Sequence, residues 1–346
     1  MSHSMKAIGL THYLPVTDVN SLQDIELPLP HPSARDLLVK VEAISVNPVD
    51  SKVRAPKELV ETQAKVLGWD AVGTVVSVGE EVSLFSPGQK VFYAGDITRP
   101  GCNSEYHLID ERIAGHAPEK LSLEEAAAMP LTSLTAWEAL FNRLGINLDG
   151  SLPGDTVQKS ILIIGGAGGV GSIACQLAGN LAGLTVISTA SRPESISWCK
   201  AMGADYIVNH HKLVAEIKAL KIKEVDYILC CNSTDLYFDS MVELIAPQGH
   251  ICSIVDNTKP LAMNKLKAKS ASFSWEFMFT RAMFKTDDMI EQHHILNELA
   301  RLLDEGILKT TLGETLSPIN ASNLRRAHEK MEAGSMIGKL VLSSWS

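Results

Sequence analysis

A glycine-rich turn in the middle of the chain has the spacing of a phosphate-binding loop. Residues 161–164 are apolar and mostly β-branched, which predicts a buried parallel strand. The motif Gly166-x-Gly168-x-x-Gly171 follows at once, and apolar residues then recur at helical spacing. In such a strand–turn–helix, Gly166 allows the tight turn, Gly168 lets the backbone approach a pyrophosphate, and Gly171 lets helix and strand pack closely. The pattern therefore predicts a dinucleotide site in which the start of the helix binds the phosphates.

Glycine pairs also occur in turns that bind nothing, so this motif depends on its context. Here the strand, the turn and the helix follow one another in register, which favours a binding loop over a purely structural turn. The residues that we expect to bind the cofactor in this loop are Gly166, Gly168, Gly169, Val170 and Gly171.

The residues after the next predicted strand indicate which dinucleotide binds. An NAD-binding fold usually has an acid at this place for the ribose hydroxyls. This chain instead has Ser191 and Arg192, with no Asp or Glu before Glu194. Arg192 can pair with a 2′-phosphate and Ser191 can donate to it, which favours NADPH. The alternative is that Arg192 is a solvated residue ahead of the helix that starts at Pro193.

Composition and charge exclude several classes of protein. A chain of 346 residues can form two domains with a large core. Its formal net charge of -9, without a long basic run, argues against binding to nucleic acid or to an anionic membrane. The first residues lack a signal-peptide pattern, and no apolar run reaches the roughly 18 residues of a membrane span. We therefore expect a cytoplasmic protein.

The six cysteines include no C-x-x-C pair. Most of them lie in apolar strand or helix contexts. Free buried thiols in a reducing compartment are therefore favoured over a disulfide framework or a zinc cluster. No Ser/His/Asp arrangement with motif support is present either, so hydrolase chemistry is not indicated.

The hydrophobic pattern changes near residue 120. The preceding part has strand-like runs separated by turns, which predict an antiparallel, barrel-like β unit without a long helix. From residue 161 onward strands and helices alternate, which predicts an α/β fold with a doubly wound parallel sheet. Residues 270–279 can supply its edge strand. The aromatic residues of that strand fit either a homodimer interface or the wall of a substrate pocket, and both interpretations remain open.

The last segments break the alternation of strands and helices. An amphipathic helix is expected over residues 286–303, with Asp287 and Asp288 in its first turn. A helix over residues 320–332 and a closing strand over residues 339–342 follow. We expect these segments to return to the N-terminal unit.

Several sequence segments resemble the medium-chain dehydrogenase/reductase superfamily, and the likeness covers nearly the whole chain. Within it the chain looks most like the quinone oxidoreductase-like branch, which includes proteins often labelled zinc-type alcohol dehydrogenase-like. The segments are VEAISVNPVDSKVR (41–54), GWDAVGTVVSVG (68–79), AAAMPLTSLTAWEAL (126–140), GGAGGVG (165–171), MGAD (202–205) and IGKLVL (337–342). The resemblance implies a GroES-like barrel domain over residues 1–130 with 282–346, and a Rossmann domain over residues 131–281.

The resemblance also raises the question of zinc. Zinc-dependent alcohol dehydrogenases place a cysteine, a histidine and a further cysteine or acid where this chain has Asn47, Trp69 and Leu131. An amide, an indole and an isobutyl group cannot replace thiolates and imidazole around zinc, so we expect no metal. Asp50 and Asp70 can be proposed as a carboxylate site, but turn capping or a salt bridge is favoured for each.

The resemblance further implies residue roles and a reaction. His210 lies where relatives often have a tyrosine near the adenosine end, although a lone histidine is as often structural. We expect hydride transfer from NADPH to quinones or related α,β-unsaturated carbonyl compounds. The Asn47 amide would meet the developing negative charge, Thr135 would lie near the nicotinamide, and Trp69 would wall the pocket. The alternatives are a zinc-type alcohol dehydrogenase-like enzyme and a non-catalytic NADPH-binding protein.

Overall fold

The computed structural model describes residues 4–148 and 158–346 and contains two compact units. The first unit comprises the described residues up to Leu131 together with Phe279–Ser346, and the second is Thr132–Met278. Among the helices of these ranges, none is long and apolar enough to cross a lipid bilayer.

Strands and helices are numbered separately in chain order. The strands of the described residues are β1 (Ser4–Tyr13), β2 (Gln23–Pro28), β3 (Asp36–Ser45), β4 (Lys57–Val66), β5 (Ala71–Val78), β6 (Lys90–Tyr93), β7 (Tyr106–Asp110), β8 (Ala114–His116), β9 (Ser160–Ile164), β10 (Thr185–Thr189), β11 (Tyr206–Val208), β12 (Val225–Cys230), β13 (Ile245–Ser253), β14 (Ser272–Trp275), β15 (Leu312–Leu316) and β16 (Lys339–Ser343). The α-helices are α1 (Pro48–Arg54), α2 (Leu123–Ala127), α3 (Pro130–Trp137), α4 (Gly169–Gln176), α5 (Pro193–Ala201), α6 (Leu213–Ala219), α7 (Thr234–Leu244), α8 (Thr280–Phe284), α9 (Glu291–Asp304) and α10 (Ala321–Glu332). Single π-helical segments, Glu138–Arg143 and Leu177–Leu181, continue α3 and α4.

The first unit is built around strand β3. Its main sheet has the order β15-β16-β3-β5-β6-β8, with β7 paired to β3, and a smaller sheet has the order β2-β1-β4. The C-terminal strand β16 pairs antiparallel with β3, so the end of the chain returns to the N-terminal unit as predicted. This pairing brings residue 339 next to the start of α1, where the site described below is formed.

The second unit is the doubly wound parallel sheet that the sequence predicts. The strand order is β11-β10-β9-β12-β13-β14, and every neighbouring pair is parallel. Strand β9 lies in the interior of the sheet, which explains why its apolar residues are fully buried. The chain reverses its direction of winding between β9 and β12, and ligands of such sheets bind outside the carboxyl ends of the strands at this point.

The helix predicted over residues 286–303 begins later, at Glu291. The prediction was wrong for the first turn, because the hydroxyl of Thr286 and the guanidinium of Arg281 both donate to Asp288. These side-chain bonds hold a turn between the short helix α8 and α9, and polar side chains near a helix start compete with helical pairing in this way.

Two other elements differ from the sequence-based expectation. Strand β4 pairs with β1, and most of its residues are exposed. A strand of this kind needs no alternation of apolar and polar residues, so the hydrophobic pattern did not predict it. The edge strand β14 is shorter than residues 270–279. Trp275 and Phe277 are 44% and 45% exposed in the single chain, so the interpretations as dimer interface and pocket wall both stay predictions.

Candidate active site

The glycines of the phosphate-binding motif are required for different reasons. Gly165, which precedes the motif, has a φ of +89° and makes the left-handed turn, a role that the sequence analysis assigned to Gly166. A Cβ on Gly166 would lie 1.7 Å from the Ser188 hydroxyl, so this glycine permits close packing on strand β10. A Cβ on Gly171 would lie 2.3 Å from the Gly165 carbonyl oxygen, which agrees with the predicted close packing of helix and strand.

Gly168 is not required by the packing of the protein itself. Its φ of −76° is open to any residue, and a Cβ there would meet only the Gly165 carbonyl oxygen at 3.5 Å. Gly168 is the N-cap of α4, whose first residues are Gly169 and Val170, and it offers no side chain to cap their N–H groups. The loop therefore fits a bound pyrophosphate. Its oxygens would accept hydrogen bonds from those N–H groups, in the place that a capping side chain would otherwise occupy.

The predicted adenosine-end residues follow two neighbouring strands of the same sheet. Ser191 and Arg192 follow β10, and His210 follows β11, which pairs with β10. Arg192 is the N-cap of α5, and its Nε lies 3.5 Å from the carboxylate of the exposed Glu194. Burial and the neighbouring His211 lower the pKa of His210.

The centre of the first unit is a buried ion pair that the sequence analysis missed. Lys339, at the start of β16, is 3% exposed, and its Nζ donates to Asp70 Oδ2 at 2.9 Å. The same ammonium donates to the Val46 carbonyl at 2.9 Å and to the Asn47 side-chain oxygen. Burial raises the pKa of Asp70, and the ammonium of Lys339 opposes that shift. The available sequence signal was a lysine in an otherwise apolar C-terminal strand. The residues that it binds are far away in the chain, so the pattern did not identify them.

Asp70 connects further segments to this cluster. Its second oxygen, Oδ1, accepts the backbone N–H of Leu131 at 2.8 Å, and Oδ2 also accepts Asn47 Nδ2 at 2.8 Å. Asp50 caps α1 by accepting the Asn47 backbone N–H at 2.6 Å. The capping and salt-bridge roles favoured for Asp50 and Asp70 are therefore confirmed. Burial raises the pKa of Asp50 to about 7.

The amide of Asn47 is not free to meet a substrate. Its Nδ2 donates to Asp70 and, at 3.2 Å, to the Trp69 carbonyl, while its oxygen accepts from Lys339. Because an amide has two N–H donors, both are engaged, and the side chain is 1% exposed. The expected donor to the developing charge is therefore occupied, and Asn47 instead connects Lys339, Asp70 and the Trp69 carbonyl.

Trp69 is as deeply buried as Asn47, but its side-chain donor makes no hydrogen bond to a described residue. The indole is 1% exposed and makes a T-shaped contact with Phe279, with ring centroids 6.1 Å apart. Its Nε1 is buried and has no hydrogen-bond acceptor among the described residues. Buried indole N–H groups usually find a partner, so this donor is unusual.

In the second unit, Thr135 lies on α3 and is 5% exposed. The π-helical segment after α3 carries Glu138 and Arg143, and Arg143 Nε donates to Glu276 at 2.8 Å. Burial, followed by the charge of Glu138, raises the pKa of Glu276 to about 8. Sequence patterns did not reveal the pair of Glu138 and Glu276. The two residues are 138 positions apart, share no motif and are brought together only by the fold.

Comparison with known proteins agrees with this architecture. Residues 202–342 match the family described as zinc-binding dehydrogenase, and residues 33–133 match the alcohol dehydrogenase GroES-like domain. A zinc-type alcohol dehydrogenase-like protein of Staphylococcus aureus (strain Mu50) is 46% identical over 98% of this chain and 100% of its own length. The chain belongs to the medium-chain dehydrogenase/reductase superfamily, in its quinone oxidoreductase-like branch.

Solved structures extend the comparison. A protein of Rhizobium etli CFN 42 described as a zinc-dependent alcohol dehydrogenase is 50% identical, covers 100% of both chains and has a TM-score of 0.94. The quinone oxidoreductase of Coxiella burnetii is 28% identical over 98% of this chain and 99% of its own, with a TM-score of 0.77. As a member of this superfamily, the chain is an oxidoreductase that uses a nicotinamide cofactor, with a GroES-like domain and a Rossmann domain.

Zinc does not fit the residues that this member of the branch places at the family's ligand positions. The Asn47 amide is engaged in the Lys339–Asp70 cluster, Trp69 offers an N–H donor rather than a lone pair, and Leu131 has no polar side-chain atom. A lysine ammonium lies among these positions, and it would repel a divalent cation. No group of three or more His, Cys, Asp or Glu residues that could hold a metal occurs within 4–148 and 158–346.

The glycine loop generates a prediction about cofactor binding. Gly168→Val places a side chain where a pyrophosphate would lie, while strand and helix need not move, so the variant stays folded and loses cofactor affinity. Excess cofactor should stabilise the wild type by about 2.7 kcal/mol at a hundred times its Kd, and should not stabilise the variant. Thermal unfolding with and without cofactor measures this.

Gly166→Val is the matched control, since its side chain would collide with Ser188 and should lower stability even without cofactor. A Gly168→Val protein that still gains stability from cofactor would show that the phosphates bind elsewhere.

The buried ion pair generates a prediction about stability. Lys339→Met leaves the Asp70 carboxylate buried without its cation, which should lower the free energy of unfolding by about 3–5 kcal/mol. The double variant Lys339→Met/Asp70→Asn should lose less than the single variant, because the uncompensated charge is gone. Urea unfolding curves measure both.

Lys330→Met is the control. Lys330 pairs with Glu314 at the surface, where an ion pair contributes less than about 1 kcal/mol. Equal losses for Lys339→Met and Lys330→Met would refute a structural role for the buried pair.

Proposed function

We propose that this chain is a zinc-independent, NADPH-dependent reductase of quinones or related α,β-unsaturated carbonyl compounds. The observation that carries the proposal is that Asn47, at a position where alcohol dehydrogenases of the superfamily place a zinc ligand, is held in a cluster with Lys339 and Asp70. Alcohol oxidation of that type depends on a Lewis acid that stabilises an alkoxide. Reduction of a conjugated carbonyl needs less, because the negative charge is delocalised from carbon to oxygen and hydrogen-bond donors suffice.

In the proposed reaction, a bound nicotinamide cofactor supplies a hydride to an electron-poor carbon of the substrate. The glycine loop at the start of α4 would hold the pyrophosphate through the N–H groups of Gly169 and Val170. Thr135 on α3 is proposed to contact the nicotinamide, as the resemblance of its segment implies. The final proton would come from water.

The preference for NADPH is proposed from Ser191 and Arg192. A guanidinium at the N-terminus of α5 can pair with a 2′-phosphate, and no acid precedes Glu194 that would bind the ribose hydroxyls instead. The contact between Arg192 and Glu194 is exposed on both sides, so it is weak and a phosphate dianion can displace it.

These contacts lead to a prediction on cofactor choice. A hydrogen bond to a charged group contributes about 1.5–3 kcal/mol, so Arg192→Ala should weaken NADPH binding by roughly ten- to a hundredfold and leave NADH binding unchanged. Glu194→Gln removes the competing carboxylate and should tighten NADPH binding by a few-fold. Fluorescence titration with both cofactors tests these variants, and equal affinity of the wild type for NADPH and NADH would contradict the proposal.

The proposed reaction is tested by NADPH consumption with a panel of quinones and enones, before and after treatment with a chelator. We expect turnover that the chelator does not change and no stoichiometric zinc in the purified protein. One zinc per chain that is lost together with activity would establish the zinc-type alternative. Tight NADPH binding without turnover of any panel member would establish a non-catalytic binding protein.

A further inference from the structure

We propose that the indole N–H of Trp69 donates a hydrogen bond to the carbonyl oxygen of the substrate during reduction. This inference rests on the proposed function and names the group that meets the negative charge. Such a donor is needed because, without a metal, the oxygen that accepts the electron pair must be stabilised by hydrogen bonds.

Trp69 carries a buried donor without an acceptor among the described residues. Its Nε1 has no partner there, and the side chain is 1% exposed. An indole nitrogen can only donate, so the carbonyl oxygen of a bound substrate is a partner that suits its chemistry. The other indole of the first unit is different, because Trp345 Nε1 donates to the Val41 carbonyl at 3.0 Å.

Space lies beside the Trp69 ring at Gly95. Gly95 has a φ of +94°, and apart from its chain neighbours only one described atom, Cδ1 of Trp69, lies within 4 Å of a Cβ built on it, at 3.7 Å. Cδ1 is bonded to Nε1, so a carbonyl group in the space beside Gly95 would lie next to the part of the ring that carries the N–H.

The backbone at residue 69 is held by a network of hydrogen bonds. The Asn47 amide donates to the Trp69 carbonyl, and the adjacent Asp70 is bound by Lys339 and by the Leu131 N–H. The cluster uses all donors of Asn47 and fixes the backbone from which the indole extends. Preorganised donors stabilise a developing charge without reorganisation when the charge appears, which is the requirement for such a group.

With an enone as substrate, a bound reduced nicotinamide would supply the hydride from its C4–H bond to the β-carbon, so the cofactor would be oxidised and the substrate reduced. The electron pair of the C=C bond moves toward the carbonyl, and the oxygen becomes an enolate oxygen that accepts the Trp69 N–H. A proton from water completes the product.

The first experiment compares two substitutions of the same kind. Trp69→Phe and Trp345→Phe each remove one indole N–H and the same atoms, but only Trp69 is proposed to contact substrate. We expect Trp69→Phe to lower kcat by about 10²-fold with an unchanged Kd for NADPH, and Trp345→Phe to retain wild-type kcat. Equal kcat in the two variants would overturn the proposal, since packing alone would then account for Trp69.

A second measurement does not depend on turnover. The chain has five tryptophans, and the indole N–H signal that is missing from the Trp69→Phe spectrum identifies Trp69 by NMR. Titration of the NADP⁺-loaded protein with 4-nitrophenol, a mimic of an enolate oxygen, should move that signal downfield. A Trp69 signal that stays in place while 4-nitrophenol binds would overturn the donor role. Failure of all quinones and enones as substrates would overturn the proposed function alone, because the phenol titration would still report on the indole donor.

Discussion

A single buried ammonium organises the first unit of this protein. Lys339 lies on the last strand, yet its three acceptors belong to the end of β3, the start of α1 and the start of β5. Transferring a charge of this kind from water to the protein interior is unfavourable unless every donor is satisfied and a counter-charge is close. Asp70 supplies the counter-charge, and its other oxygen binds the start of α3. One ion pair therefore connects the main sheet, the starts of α1 and α3 and the C-terminal strand β16.

This coupling changes what the site can do. A zinc ion offers an open coordination position, whereas the Lys339 ammonium has three donors and three acceptors, so it has no bond left for a substrate. The cation stabilises the protein instead of the reaction. The indole N–H of Trp69 is one of the buried donors without a partner among the described residues, and it is neutral and weaker than a metal. A donor of this strength fits the proposed conjugated carbonyl substrates, in which the substrate itself spreads the charge, better than simple alkoxides.

The glycines of the loop in the second unit differ in the physical reason for their missing side chain. Gly165 is required by its backbone angle, and Gly166 and Gly171 are required by neighbours that leave no room for a Cβ. Gly168 satisfies neither condition, and the proposed pyrophosphate site accounts for its missing side chain. Four of the five glycines within residues 165–171 thus have three physical causes, and only the cause assigned to Gly168 concerns the proposed ligand.

The sequence by itself determined the parallel sheet, the strand–glycine turn–helix unit, the return of the end of the chain to the first unit and the superfamily, because each depends on local periodicity or on a contiguous motif. The prediction that Asn47, Trp69 and Leu131 replace the family's zinc ligands also comes from the sequence, since it depends on residue type. The tertiary structure alone decided which groups are free to act. Asn47 was the expected donor from its type, but Lys339, 292 positions away, and Asp70 occupy its amide. Hydrogen-bond satisfaction depends on contacts between distant segments, and no local pattern reports it.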